Sequence, residues 1–407
     1  MRKTLSKLNI NAILMKFLNQ ALCSSTFLVF VLALFVIFAA DVRTAQSQRI
    51  DVSPVLQSGA AHTASFSNGW HISLRNGTFT SESPSFTADD VLDFDVSPDN
   101  RHVAILRSRT DGSGGHKIEI INREGLVIAR HDGISDLDPA DPSLKLYLLA
   151  GGNVVLRDNI VTFSVYTHRS GFIDRVSNSS GSPDGEAMSR LISSADGTQV
   201  FVYNPRIIRQ DGVSSRLSRL NIEEGAIENL FVDDSREITN LTASNDGAFV
   251  YVLLQDQQNN VELVKLSDDG SQLATVRAEN QGSGAYVQPE NNTVTFFHQS
   301  NAQVYDVDSG ERLANAFFRQ QNIVFAYFEP RDNLVLALTG RRNNRDGNIQ
   351  ANAVRAVDLT ARSLIHSNDL SHTFTFRPED EPRMHRLQAN VYELLGVTNA
   401  VRITVTR

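Results

Sequence analysis

The chain has 407 residues, 41% of them hydrophobic and 21% charged, with a formal net charge of −8. That apolar content excludes a disordered chain, and the acidic balance excludes a default binder of nucleic acid or anionic lipid, because phosphate attraction needs a basic footprint. The single cysteine, Cys23, excludes thiol chemistry and a disulfide framework from everything that follows it.

Residues 1–47 read as a targeting leader. Arg2, Lys3, Lys7 and Lys16 precede an apolar run from Phe27 to Ala40, and Ala45-Gln46-Ser47 puts small residues at the −3 and −1 positions of a cut. The run falls short of the roughly 20 residues that span a bilayer, so a cleaved secretory signal is expected, with an uncleaved anchor as the alternative. Either form predicts export of residues 48–407 to the periplasm or the medium, and a cysteine-free exported domain points to a bacterium. The leader holds five basic side chains against Asp41, so the remainder carries −12.

From residue 90 onward one cassette recurs: an alternating apolar run, an acidic turn, and a second apolar run. It first appears as Leu92-Asp-Phe-Asp-Val-Ser97, turn Pro98-Asp99-Asn100, and return run Val103 to Leu106. Further acidic turns fall at Asp158, Asp196, Asp246, Glu290, Asp332 and Asp380. The spacings of 59, 38, 50, 44, 42 and 48 residues match the length of a four-stranded propeller blade. Second strands are predicted at Ile160 to Tyr166, Val200 to Tyr203, Phe249 to Leu254, Val294 to Phe297 and Leu334 to Leu338. Third strands are predicted at Lys117 to Ile121, Arg216 to Leu220, Val261 to Leu266, Ala302 to Val307 and Ala353 to Val357.

The expected fold is therefore all-β, a single β-propeller over residues 48–407 with seven four-stranded blades, six or eight being the alternatives. The segments Trp70 to Leu74 and Thr78 to Thr80 are expected to supply an outer strand that closes the ring and removes its open edge.

The turns Ser97-Pro98-Asp99-Asn100, Ser194-Ala195-Asp196-Gly197 and Ser244-Asn245-Asp246-Gly247 resemble the Ser-Pro-Asp-Gly turn of bacterial WD40-like propellers, a group that includes the TolB-type, YVTN and lactonase-like families. The resemblance spans about residues 90–380 and is architectural. It implies either a binding module, as in TolB-type members, or an enzyme, as in lactonase-like members. It carries no catalytic residue onto this chain.

Metalloprotease, phosphate-loop, CxxC and nucleophile-elbow motifs are all missing from the sequence. The acidic loop Asp132, Asp136, Asp138 and Asp141 lacks the order of a calcium-binding EF-hand loop and reads as solvated. Neither a metal nor a cofactor is expected. Topology sorts the charges: turns between strands one and two and between strands three and four fall on one face, and turns between strands two and three join the sheet-to-sheet crossings on the other. On this sorting the second face collects Arg109, Arg169, Arg206, Arg209, Arg341, Arg342 and Arg345, with His116, His168 and His298. A net positive face on an acidic protein is expected there, suited to a carboxylate, sulfate or phosphate on a small molecule, polysaccharide or protein partner. A binding or scaffold module is the leading expectation. A lactonase-like hydrolase or sugar-acid lyase with its site in the central channel is the alternative.

Overall fold

β-branched and aromatic runs, each stopped by Gly, Asn or Asp, shape the chain into short strands throughout. A computed structural model describes residues 49–407 apart from 58–61, 66–70, 83–84, 98–100, 109–114, 136, 183, 320–321, 343–348, 377–382 and 396–398. The strands form eight four-stranded antiparallel units, an all-β architecture compatible with a β-propeller.

Sheet I comprises His62–Ser65, His71–Arg75, Thr78–Glu82 and Ser85–Ala88. Sheet II comprises Val91–Val96, His102–Ser108, His116–Asn122 and Val127–Ile134. Sheet III is Lys145–Leu148, Val154–Arg157, Thr162–Thr167 and Gly171–Ser177, and sheet IV is Arg190–Ser193, Val200–Arg209, Gly212–Asn221 and Ala226–Asp233. Sheet V is Glu237–Ala243, Phe249–Gln255, Val261–Ser267 and Gln272–Arg277, and sheet VI is Gly284–Gln288, Thr293–His298, Asn301–Asp306 and Arg312–Phe317. Sheet VII is Ile323–Glu329, Leu334–Arg342, Ile349–Asp358 and Ser363–Phe376. Sheet VIII joins Arg383–Gln388, Val391–Leu395 and Asn399–Thr406 to Arg49–Gln57, so the first described strand completes the last unit, and the same strand pairs in parallel with Ser363–Phe376, making units VII and VIII one continuous eight-stranded sheet.

Three sequence expectations are corrected. There are eight four-stranded units, not seven, because residues 62–88 make a whole one whose segment between strands one and two, residues 66–70, includes no Asp or Glu to mark it. The strand completing the C-terminal sheet is Arg49–Gln57, upstream of the segments expected to do so. Asp158 is also not a first turn. In sheet III that turn is Ala150–Gly152, and Asp158 follows the second strand. The uneven spacings of 59 and 38 residues on either side of Asp158 were the trace of this misplacement.

Side chains from neighbouring sheets interlock. Phe79 of sheet I packs with Val103, Ile105 and Ile121 of sheet II; Val155 and Phe163 of sheet III pack with Leu191 and Val202 of sheet IV. Each such residue is fully or nearly fully buried, worth about 1.5–3 kcal/mol of transfer free energy apiece. The middle strand of sheet VIII also approaches the first strand of sheet I.

The acidic cassette has a local and a long-range task. In the turns, Asp196 Oδ1 accepts the Ser194 hydroxyl at 2.6 Å and the Thr198 N–H at 3.0 Å, and Asp246 repeats the pattern with Ser244 and Ala248. Gly197 at φ 67° completes the first of these turns, and a Cβ there would lie 2.1 Å from that of Ala150. Between sheets, Asp93 and Asp95 accept the Leu146 and Leu148 N–H groups, each at 2.8 Å. Gln288 likewise takes the Phe328 N–H and donates to its carbonyl. First strands would otherwise leave these N–H groups unpaired, so one side chain per contact locks neighbouring sheets in register. Between sheets VII and VIII, buried Asp332 accepts from the Arg386 guanidinium, the Asn390 N–H and, at 2.6 Å, the Tyr392 hydroxyl. These donors, Arg386 foremost, hold its carboxyl well below the usual range.

Candidate anion-binding site

Two hairpins extend further than the rest, and both carry predicted arginines. In sheet IV the second and third strands, Val200–Arg209 and Gly212–Asn221, continue past a bulge between Asn204 and Ile207 to a two-residue turn, placing Arg206 and Arg209 near the tip. In sheet VII, Leu334–Arg342 and Ile349–Asp358 continue past a bulge at Thr339/Gly340, and the fourth strand follows them, pairing Phe376 with Ile349. Gly340 is required there, since a Cβ would sit 1.9 Å from the Gln350 carbonyl oxygen. Both tips lie at the turn between strands two and three, on the face shared with the sheet-to-sheet crossings.

The two tips differ in charge. Arg206 Nε lies 3.1 Å from Glu237 and Arg209 Nη1 lies 3.2 Å from Asp234, so both are paired across to sheet V and its approach. Arg341 is exposed, and its Nε donates to the neutral Gln350 Oε1 at 3.1 Å. Among the described residues Arg341 meets no carboxylate within ion-pair distance. Arg342 ends the strand, its side chain outside the described set; Arg345 and Arg109 lie outside the described residues altogether. His298 ends the second strand of sheet VI at the same face, partly buried.

Arg169 is the exception among the predicted site residues. It sits with His168 between Thr162–Thr167 and Gly171–Ser177, the turn between the third and fourth strands, and so belongs to the opposite face. Conversely, Asp158, Asp184 and Glu186 move onto the arginine face, as a second-to-third-strand turn and the crossing from sheet III to sheet IV. The net positive face expected from the sequence thus loses Arg169 and His168 and gains three carboxylates. Cationic character is local.

Beside hairpin IV lies a cleft of about 640 Å³, lined by Asp211, Asp234, Arg236, Asp256, Glu262 and Arg277 among others. Most of its charged side chains have partners. Arg236 reaches Asp233 at 2.7 Å and Glu262 at 2.7 Å, Arg277 also bonds to Glu262, and Asp256 is occupied by the Gln258 and Asn260 N–H groups. Burial alone would raise the Asp233 carboxyl, but Arg236 and the Ser235 N–H more than offset it and hold it low. In the crossing from sheet II to sheet III, Asp138 and Asp141 accept the Ala140 and Ser143 N–H groups. Among the described residues no group of His, Cys, Asp and Glu is arranged to hold a metal ion, and no helix is long and apolar enough to cross a membrane.

Sequence reasoning missed Glu119, which is buried and ringed by Arg107, Lys117 and Arg130. The clue was present as Lys117 and Glu119 two apart on one strand face, but their partners come from the two flanking strands.

No family model and no curated protein matches this chain. Among solved structures it is similar to the computationally designed Ika8 protein, at 14% identity over 86% of this chain and 97% of that one, with a TM-score of 0.49. It is also similar to a eukaryotic initiation factor, at 8% identity over 83% and 92% of the two chains, with a TM-score of 0.45. At those scores neither likeness carries an argument. The site rests on its own residues.

Proposed function

We propose that this chain is an exported, eight-bladed β-propeller of the WD40-like kind that binds an anionic ligand, or the acidic face of a protein partner, through the hairpin of sheet VII. The leader in residues 1–47 supports export, and the strand Arg49–Gln57 in sheet VIII supports closure of the ring. The observation that carries the binding reading is the charge state of Arg341. It stands exposed on an extended hairpin with a neutral cross-strand partner, whereas Arg206 and Arg209 on the comparable hairpin are paired with carboxylates. A guanidinium held by one neutral bond keeps its remaining N–H donors for a bidentate carboxylate, sulfate or phosphate contact.

The test is joint replacement of Arg341, Arg342 and Arg345 by Gln, with retention on an anionic matrix measured at low salt. Earlier elution is expected. Unchanged retention overturns the reading.

A further inference from the structure

We propose that sheet II carries a binding site for a tetrahedral oxyanion such as phosphate, built from Arg107, Lys117 and Arg130 around the carboxylate of Glu119. The inference stands apart from the hairpin of sheet VII and uses none of its residues.

Strand register assembles the cluster. Arg107 of the second strand pairs with Lys117 of the third, and Glu119 of the third pairs with Arg130 of the fourth, so all four side chains share the sheet face that also carries Ile105 and Ile121 towards sheet I. Lys117 Nζ lies 3.0 Å and Arg130 Nη2 lies 2.6 Å from Glu119 Oε1, while Arg107 Nη1 lies 3.3 Å from Oε2. Three cations thus converge on a single carboxylate that is itself 5% exposed. One pair would neutralise Glu119, so the cluster keeps two positive charges in excess.

That excess is costly unless something answers it. Arg107 and Lys117 are each 21% exposed, enough to weaken their hydration, and the Arg107 Nε is buried with no hydrogen-bond partner. Arg130 is 49% exposed, so the cluster is reachable from solvent. The corresponding arrangement in sheet V is balanced: Glu262 meets Arg236 and Arg277, and Asp233 supplies the second carboxylate. In sheet II, among the described residues, no carboxylate other than Glu119 lies within ion-pair distance of Arg107, Lys117 or Arg130. An oxyanion with several acceptor oxygens would supply the second anion, taking charge-assisted bonds from guanidinium and ammonium together.

The test is calorimetric titration of the whole protein with inorganic phosphate at low ionic strength, with sodium chloride as the control for simple screening. Wild type is expected to bind phosphate, and Lys117→Met to weaken it about tenfold or more, the value of one charge-assisted bond. Glu119→Gln removes the internal carboxylate that competes with the ligand, so it is expected to bind phosphate more tightly, and phosphate should raise its melting temperature more than that of wild type. The opposite directions of the two variants distinguish a binding site from a structural ion cluster. A phosphorylated sugar titrated alongside separates the sources: equal affinity assigns the site to the free ion, and tighter binding assigns it to a phosphate group on a larger ligand. No phosphate binding by wild type, together with no gain in Glu119→Gln, overturns the proposal.

Discussion

The junction of sheets IV and V and the tip of sheet VII present arginines in two different ways. At the junction, Arg206, Arg209, Arg236 and Arg277 each meet Glu237, Asp234, Asp233 or Glu262, and every guanidinium has an acidic counterpart. At the tip of sheet VII, Arg341 meets an amide. The difference teaches that an arginine count does not identify a binding surface; the ratio of cations to reachable carboxylates does. Balanced clusters tie sheets together, and the unbalanced ones are where ligand binding is proposed.

The comparison breaks most visibly if Glu262 is removed. Glu262→Gln removes the carboxylate that Arg236 and Arg277 share; because Arg277 is 79% exposed and Arg236 keeps Asp233, the loss should cost about 1.5 kcal/mol, read from denaturant midpoints. A change below about 0.5 kcal/mol would mean that the junction is not held by its charge balance.

Acid should act on the same junction next. The Asp233 carboxyl is held below its ordinary value, so its contribution to stability is fully present above the ordinary aspartate range and is lost as pH falls through the lowered value. Melting temperature is therefore expected to fall on acidification below about pH 4, and to fall less steeply in Asp233→Asn. Identical slopes for the two proteins would remove Asp233 from the account.

The smallest effect on stability is expected at the tip of sheet VII. Gln350→Glu places a carboxylate beside Arg341 and converts this tip to the balanced state of hairpin IV. Stability should change by no more than about 0.5 kcal/mol, as for exposed pairs, while retention on an anionic matrix declines.

Much of the fold was legible because strand period and turn chemistry are local. Val103 to Leu106, Phe249 to Leu254 and Leu334 to Leu338 lie inside observed second strands, and the Ser-x-Asp-Gly turns at 194–197 and 244–247 form through bonds within a few residues. The sheet count failed where the local marker was missing, in sheet I, and the turn assignment failed where it was misplaced, at Asp158. The face assignment of Arg169 failed for the same reason, since one misplaced turn inverts every later turn of that sheet. The charge pairing was not legible at all. Glu237 lies 31 residues from Arg206 in the chain, and Arg130 meets Glu119 only across a strand pair. Sequence separation hides such contacts, although register fixes them once strands are placed.

The most direct test of the account sets two variants of the full chain against each other: Arg206→Gln with Arg209→Gln, and Arg341→Gln with Arg342→Gln and Arg345→Gln. The salt concentration that elutes each from an anionic matrix is the readout. The account predicts a clear drop for the sheet VII variant and little change for the sheet IV variant. Equal drops, or a larger drop for sheet IV, would contradict it.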